Sequence, residues 1–147
     1  MWAEEMLNIR IATSDDAAAL AALNDEFNAT VTTAEDVRRR FGQTGSRELV
    51  CIAIKDELAV GFACAQVYHS ICYERPAAEL TEIYVRSGYR SQGIGKALVA
   101  HIESDLIARQ VNEMRIETNM ANEMAKKLYL SSGYIPLEHQ IFAKKLG

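Results

Sequence analysis

Residues 90–98 read Arg90-Ser91-Gln92-Gly93-Ile94-Gly95-Lys96-Ala97-Leu98, and their setting decides the fold. Behind them, Ala77 to Val85 predicts a strand. Ahead, Ile94, Leu98, Ile102 and Leu106 recur every four residues and predict a long helix over 93–109. Without Cβ atoms, Gly93 and Gly95 let the backbone turn and approach a ligand. The unpaired N–H groups and positive dipole end of the helix face the same place. Strand, glycine loop and helix start together predict an anion site suited to a pyrophosphate.

Two other phosphate loops do not fit. A P-loop needs a hydroxyl residue after Gly-Lys, and Gly95-Lys96 is followed by Ala97. A dinucleotide fingerprint needs a small residue where Leu98 stands, and normally follows the first strand.

Working outward, Leu7 to Ile11 alternates apolar and polar and predicts a half-buried strand. A helix follows, capped by Thr13 or Ser14, with Asp15 and Asp16 at its positive end and Leu20, Leu23 and Phe27 on one face. Thr33 with Asp36 predicts a capping box for a second helix ended by the Gly42–Gly45 turn. Leu49–Ile54 and Leu58–Tyr68, joined at Lys55-Asp56-Glu57, predict a hairpin. Beyond the long helix come a strand over Glu113–Thr118, a helix over Asn122–Ser132 ended by Gly133, and a last strand over Gln140–Lys145. Strand, two helices, three strands, helix, strand, helix, strand is a mixed α/β (α+β) order.

At 147 residues and 49% apolar content, with no linker or repeat, one domain over 1–147 is expected. No window approaches the ~18 apolar residues that span a bilayer, and Met1 to Leu7 has carboxylates where a leader needs positive charge. A soluble cytoplasmic protein with no membrane partner is expected. A formal net charge of −4 disfavours nucleic acid and mildly favours a cationic ligand. Cys51, Cys64 and Cys72 lack C-x-x-C spacing, and His69, His101 and His139 lack H-E-x-x-H pairing, so no metal is expected. Cys51 and Cys64, inside apolar runs, read as core residues.

Glu82-Ile83-Tyr84-Val85, a four-residue spacer and Arg90-x-x-Gly93-x-Gly95 resemble the strand and pyrophosphate loop of the GNAT superfamily of N-acetyltransferases. Asn122-x-x-Ala125-x-x-Leu128-Tyr129-x-x-x-Gly133-Tyr134 resembles the superfamily's second motif, and Ile9-Arg10-Ile11-Ala12 its opening. Ser91 and Gln92 depart from the pattern, standing where many relatives carry Arg-Gly or Arg-Arg; Ser87 replaces a frequent proline. The resemblance implies the GNAT fold: a central mixed, mostly antiparallel sheet of about six to seven strands, flanked by about four helices and splayed in the middle to hold CoA. It implies direct acetyl transfer from acetyl-CoA, as cosubstrate, to an amine in a ternary complex without metal.

By the same resemblance, backbone N–H groups of Arg90, Ser91, Gln92, Gly93, Ile94, Gly95 and Lys96 hold the pyrophosphate. The strand end Ile83, Tyr84 and Val85 pairs with the pantetheine arm, and an N–H near Val85 polarises the thioester carbonyl. Asn122 lies beside the pantetheine or sulfur end. Tyr129 touches the cofactor and serves as general acid. The base is open between Glu79, Glu82 and Glu117, with Glu79 placed first and Glu82 second. Alternation sets Glu79 and Thr81 on one face and Glu82 and Tyr84 on the other unless a bulge intervenes. Phe27, Asn28, Tyr68 and Glu79 are acceptor-site candidates, together with Asp25, Glu26, His69 and Tyr73; their acids and aromatics suit a cationic amine. A small-molecule amine is the favoured acceptor, and a protein N-terminus or lysine is the alternative. A non-catalytic CoA or acyl-CoA sensor is the rival to an enzyme, and a homodimer agrees with the resemblance.

Overall fold

The computed structural model describes residues 6–147; Met1–Glu5, part of the stretch read above for a leader, lie outside the described residues. In chain order the elements are β1 (Leu7–Ile11), α1 (Ala17–Asn28), α2 (Ala34–Thr44), β2 (Glu48–Lys55), β3 (Leu58–Tyr68), β4 (Ala77–Val85), α3 (Ile94–Ala108), β5 (Met114–Ile116) and α4 (Glu123–Ser131). They fall into two compact units, one ending at Glu117 and one from Thr118 to Gly147.

In the first unit the strands lie in sequence order, antiparallel except for the parallel pair β4–β5. This is the expected mixed, mostly antiparallel sheet, with five strands among the described residues rather than six or seven. Local signals set many of the boundaries. Thr13 and Asp16 form a capping box before α1, and Thr33 and Asp36 form one before α2. Arg10 grips Asp16 through two hydrogen bonds of 2.7 Å each and holds its carboxyl below the usual range. The β2–β3 link is a tight turn with Asp56 and Glu57 both at positive φ, which matches the right-handed twist of the strands. Contrary to expectation, α2 runs through Gly42 to Thr44 before Gly45 ends it at φ +53°.

Helices cover both faces of the sheet. Leu20 and Leu23 of α1 pack on Val50, Ile52, Phe62 and Cys64, with Val37 and Phe41 of α2 beside them. On the opposite face α3 buries Leu98 and Ile102 completely against β2, β3 and β4. Each such side chain contributes about 1.5–3 kcal/mol.

The second unit holds α4, capped by Asn122 and followed by Gly133 at φ +92°. The strand expected over Gln140–Lys145 does not form. Ile141 and Phe142 are exposed, and among the described residues no strand pairs with this segment; a short apolar run without a partner has no reason to extend. The strand expected over Glu113–Thr118 is only Met114–Ile116.

Candidate active site

Gly93 is the residue on which the loop turns into α3. It stands at φ +82°, ψ 6°, a left-handed conformation that L side chains adopt only with strain, and Ser91 two residues earlier also lies at positive φ. Alternating conformations of this kind turn successive N–H groups toward one side. No side chain caps α3, and its first internal bond runs from the Ala97 N–H to the Gly93 carbonyl at 3.0 Å. The N–H groups of Ile94, Gly95 and Lys96 therefore have no acceptor within the helix. The space a Cβ would take at Gly93 is open, with nothing within 4 Å. Uncapped donors, a helix dipole and open space fit a pyrophosphate. Sequence reading missed Lys55, whose ammonium donates to Gln92 Oε1 at 2.6 Å and ties the β2–β3 turn to this loop.

The loop leaves β4 where that strand has parted from its neighbour. Pairing with β5 stops at Leu80, while pairing with β3 continues to Val85. The expected splay is thus present from Thr81 onward. The Arg86 N–H bonds to the Val60 carbonyl, on the β3 side. Since neighbouring residues direct their backbone groups to opposite edges, Ile83 and Val85 direct theirs to the open one. Arg90 already uses this edge: its Nε donates to the Val85 carbonyl at 2.8 Å, and its guanidinium lies 5.7 Å from the Tyr84 ring centre. The Val85 N–H remains. Gly61 allows β3 to run this close, since a Cβ there would sit 2.7 Å from the Tyr84 carbonyl oxygen.

Further back on β4 the register shifts. Cys64 faces Glu82 and Ala65 faces Leu80, which leaves Thr81 as an extra, bulged residue. The bulge reverses the simple alternation, so Glu79, opposite Gln66, shares the α1 face with Glu82 and Tyr84. Three rows cross this face: Ile52, Phe62 and Tyr84; Val50, Cys64 and Glu82; Glu48, Gln66 and Glu79. The face thus grades from aromatic to acidic. Gln66 Nε2 donates to Glu48 Oε2 at 2.7 Å, and the Thr81 hydroxyl donates to Glu82. Burial, then the Glu82 charge, push the Glu48 carboxyl above its ordinary value. Among the described residues, neither Glu79 nor Glu82 has an ion-pair partner. Glu48 and Gln66 were missed from sequence, although both have the parity of this face.

Several of the other candidates have structural partners. Asp25 accepts from the Thr32 N–H at 2.8 Å and holds the α1–α2 loop, and Glu26 is ion-paired with Arg86 at 2.7 Å. Phe27 packs on Tyr84 and Phe62, with ring centres 5.4 and 6.2 Å away. Asn28 donates to Asn24 at 2.6 Å. Tyr68 ends β3, and Tyr68, His69 and Tyr73 are exposed. Glu117 is exposed, just beyond β5. In the second unit Asn122 Oδ1 accepts from the Ala125 N–H at 3.1 Å, and Tyr129 lies edge-on to Tyr134. Burial raises the Tyr129 phenol above its ordinary value.

A sheet that parts around an unpaired strand edge, leading into a glycine loop and an uncapped helix, is the arrangement that the resemblance to the GNAT superfamily implies. The family model described as the acetyltransferase (GNAT) family matches residues 17–134, and the chain belongs to that family of N-acetyltransferases. It is 30% identical over 97 residues, 64% of this chain and 67% of the relative, to an aminoglycoside N(6')-acetyltransferase type 1 of Salmonella typhimurium. A solved structure of the aminoglycoside N-acetyltransferase AAC(6')-Iy in complex with CoA matches with a TM-score of 0.84 at 21% identity, over 99% of this chain and 98% of that one. A ribosomal-protein-alanine N-acetyltransferase from Brucella melitensis biovar Abortus matches with a TM-score of 0.82 at 18% identity, over 97% of this chain and all of that one (100%). At these identities the likeness to solved structures concerns the fold. No helix among the described residues is long and apolar enough to cross a membrane.

Proposed function

We propose that the chain transfers the acetyl group of acetyl-CoA to a primary amine of a small, multiply charged molecule, by direct attack with both reactants bound. The observation that carries this reading is the Thr81 bulge, which turns Glu79 and Glu82 to one face on the strand whose free edge and loop suit CoA. The aminoglycoside acetyltransferase among the relatives supports a small polycationic acceptor.

When bound, acetyl-CoA supplies a thioester whose leaving thiol has a reference pKa of about 8.5. The residues of this chain divide the remaining work. Donors from Arg90 to Lys96 neutralise the pyrophosphate, and Ile83 and Val85 offer backbone groups to the pantetheine arm. The Val85 N–H is the oxyanion donor. A primary ammonium, with a reference near ~10.4, must lose a proton before it attacks. Glu82 and Glu79 attract that ammonium and accept its proton, directly or through water. Tyr129 donates a hydrogen bond to the departing thiolate; burial raises the phenol, so it stays protonated and stabilises the leaving group's developing charge, and the thiolate takes its proton late. Asp25 and Glu26, already engaged, leave recognition of the acceptor charge to the acids on the sheet face.

An acceptor panel tests this reading, with thiol release followed from acetyl-CoA in the presence of spermidine, an aminoglycoside or a peptide with a free N-terminus. Saturable turnover with the small polyamines is expected. Turnover with the peptide alone would overturn the substrate class, and acetyl-CoA binding without turnover on any amine would favour a sensor.

A further inference from the structure

Glu48, Cys64 and Glu82 bring two carboxylate oxygens and a thiol sulfur within 4.8 Å of one another. We infer that these three side chains bind a thiophilic divalent cation of the zinc type at the acidic end of the sheet face. The ligands stand on three adjacent strands, so backbone pairing fixes their spacing. One oxygen of each carboxylate is held by a neutral donor, Gln66 for Glu48 and Thr81 for Glu82, which leaves the other oxygen for a ligand. Outer donors of this kind orient metal ligands. Their neutrality also leaves the charge uncompensated: among the described residues neither carboxylate has a lysine or arginine partner.

Cys64 decides what kind of cation. It is only 9% exposed and free, its Sγ has no hydrogen-bond partner among the described residues, and that sulfur sits against the carboxylates. A thiol adds nothing to the binding of an ammonium or of magnesium, whereas a thiolate with carboxylates suits zinc. Zinc–sulfur and zinc–oxygen bonds of about 2.3 and 2.0–2.2 Å in a tetrahedron set the ligands about 3.3–3.8 Å apart. The side chains close by about 1 Å, within reach of glutamate rotamer changes. The cation takes three protein ligands and a water, and the thiol releases its proton to solvent as the metal–sulfur bond forms. If Glu82 serves the amine as proposed above, zinc and acceptor compete for it; metal binding itself does not depend on that reading.

Cobalt(II) reports the site without an activity assay. Metal-free protein carrying Cys72→Ser, which removes the exposed thiol, is titrated with cobalt(II), then zinc, and separately with magnesium. One equivalent of cobalt should produce thiolate-to-metal charge-transfer absorption that zinc displaces. Cys64→Ala should abolish the absorption, and Glu48→Gln should weaken zinc binding about tenfold or more. Absence of the band, its survival in Cys64→Ala, or magnesium binding as tightly as zinc would overturn the inference. Should Cys64→Ala fail to fold, Glu48→Gln decides, since its side chain is only half-buried. Failure of every amine in the transfer assay would leave the cobalt band untouched, so the two readings fail separately.

Discussion

The loop at residues 90–96 and the acidic face around Glu82 manage opposite charges by different means. The loop uses backbone: N–H groups of consecutive residues and the end of one helix, released by a left-handed Gly93 and an absent cap. The face uses side chains from three strands, aligned by pairing and by one bulged residue, Thr81. A backbone site is spoiled by adding bulk or charge, because there is little to remove. A side-chain site is spoiled by removing one oxygen. The two regions should therefore fail in separable observables, cofactor affinity for the loop and turnover for the face.

The largest effect is expected at the loop. Gly93→Glu puts a Cβ at φ +82° and a negative charge beside the uncapped N–H groups, and should lower acetyl-CoA affinity about a hundredfold or more by calorimetric titration. Unchanged affinity in a folded variant would break the assignment. On the face, Glu82→Gln should lower kcat/KM about 10²–10³-fold at constant acetyl-CoA Kd, and Glu79→Gln by less. Equal losses would show that the bulge makes the acids a single unit. Tyr129→Phe should cut kcat about tenfold or more and leave Kd unchanged.

The smallest effect is on stability. Because the Glu48 carboxyl is raised in the folded state, its ionisation opposes folding. That cost is absent below the unfolded value of about 4.3 and complete above the folded one. Glu48→Gln should accordingly give a slightly higher Tm at pH 7, with the gap closing as melts are taken toward about pH 4. A gap that persists in acid would assign the effect to packing.

The same contrast explains what could be read in advance. Arg90 to Lys96 and the α3 stripe of Ile94, Leu98, Ile102 and Leu106 are contiguous or periodic, so loop, helix and the order of elements through α4 were legible, as were the Thr33–Asp36 capping box and a cap at Thr13 or Ser14. The bulge was only an open alternative, because nothing at Leu80-Thr81-Glu82 signals that β3 pairs across them with one residue fewer. Glu48 and Gln66 were missed because they meet only through strand register, eighteen residues apart. Asp25 and Glu26 looked free for the acceptor, yet a loop N–H and Arg86 claim them; these partners are distant in sequence or set by a turn. The Gln140–Lys145 strand was overread from a short apolar run, since local β-propensity does not supply a pairing partner.

The central claim is that Glu79 and Glu82 handle the amine while the loop holds the cofactor. Its most direct test is the double variant Glu79→Gln, Glu82→Gln, in which acetyl-CoA Kd and polyamine kcat/KM are measured on the same preparation. The account predicts unchanged Kd with transfer reduced by about 10³-fold or more. Wild-type turnover, or a loss of acetyl-CoA affinity matching the loss of rate, would contradict it.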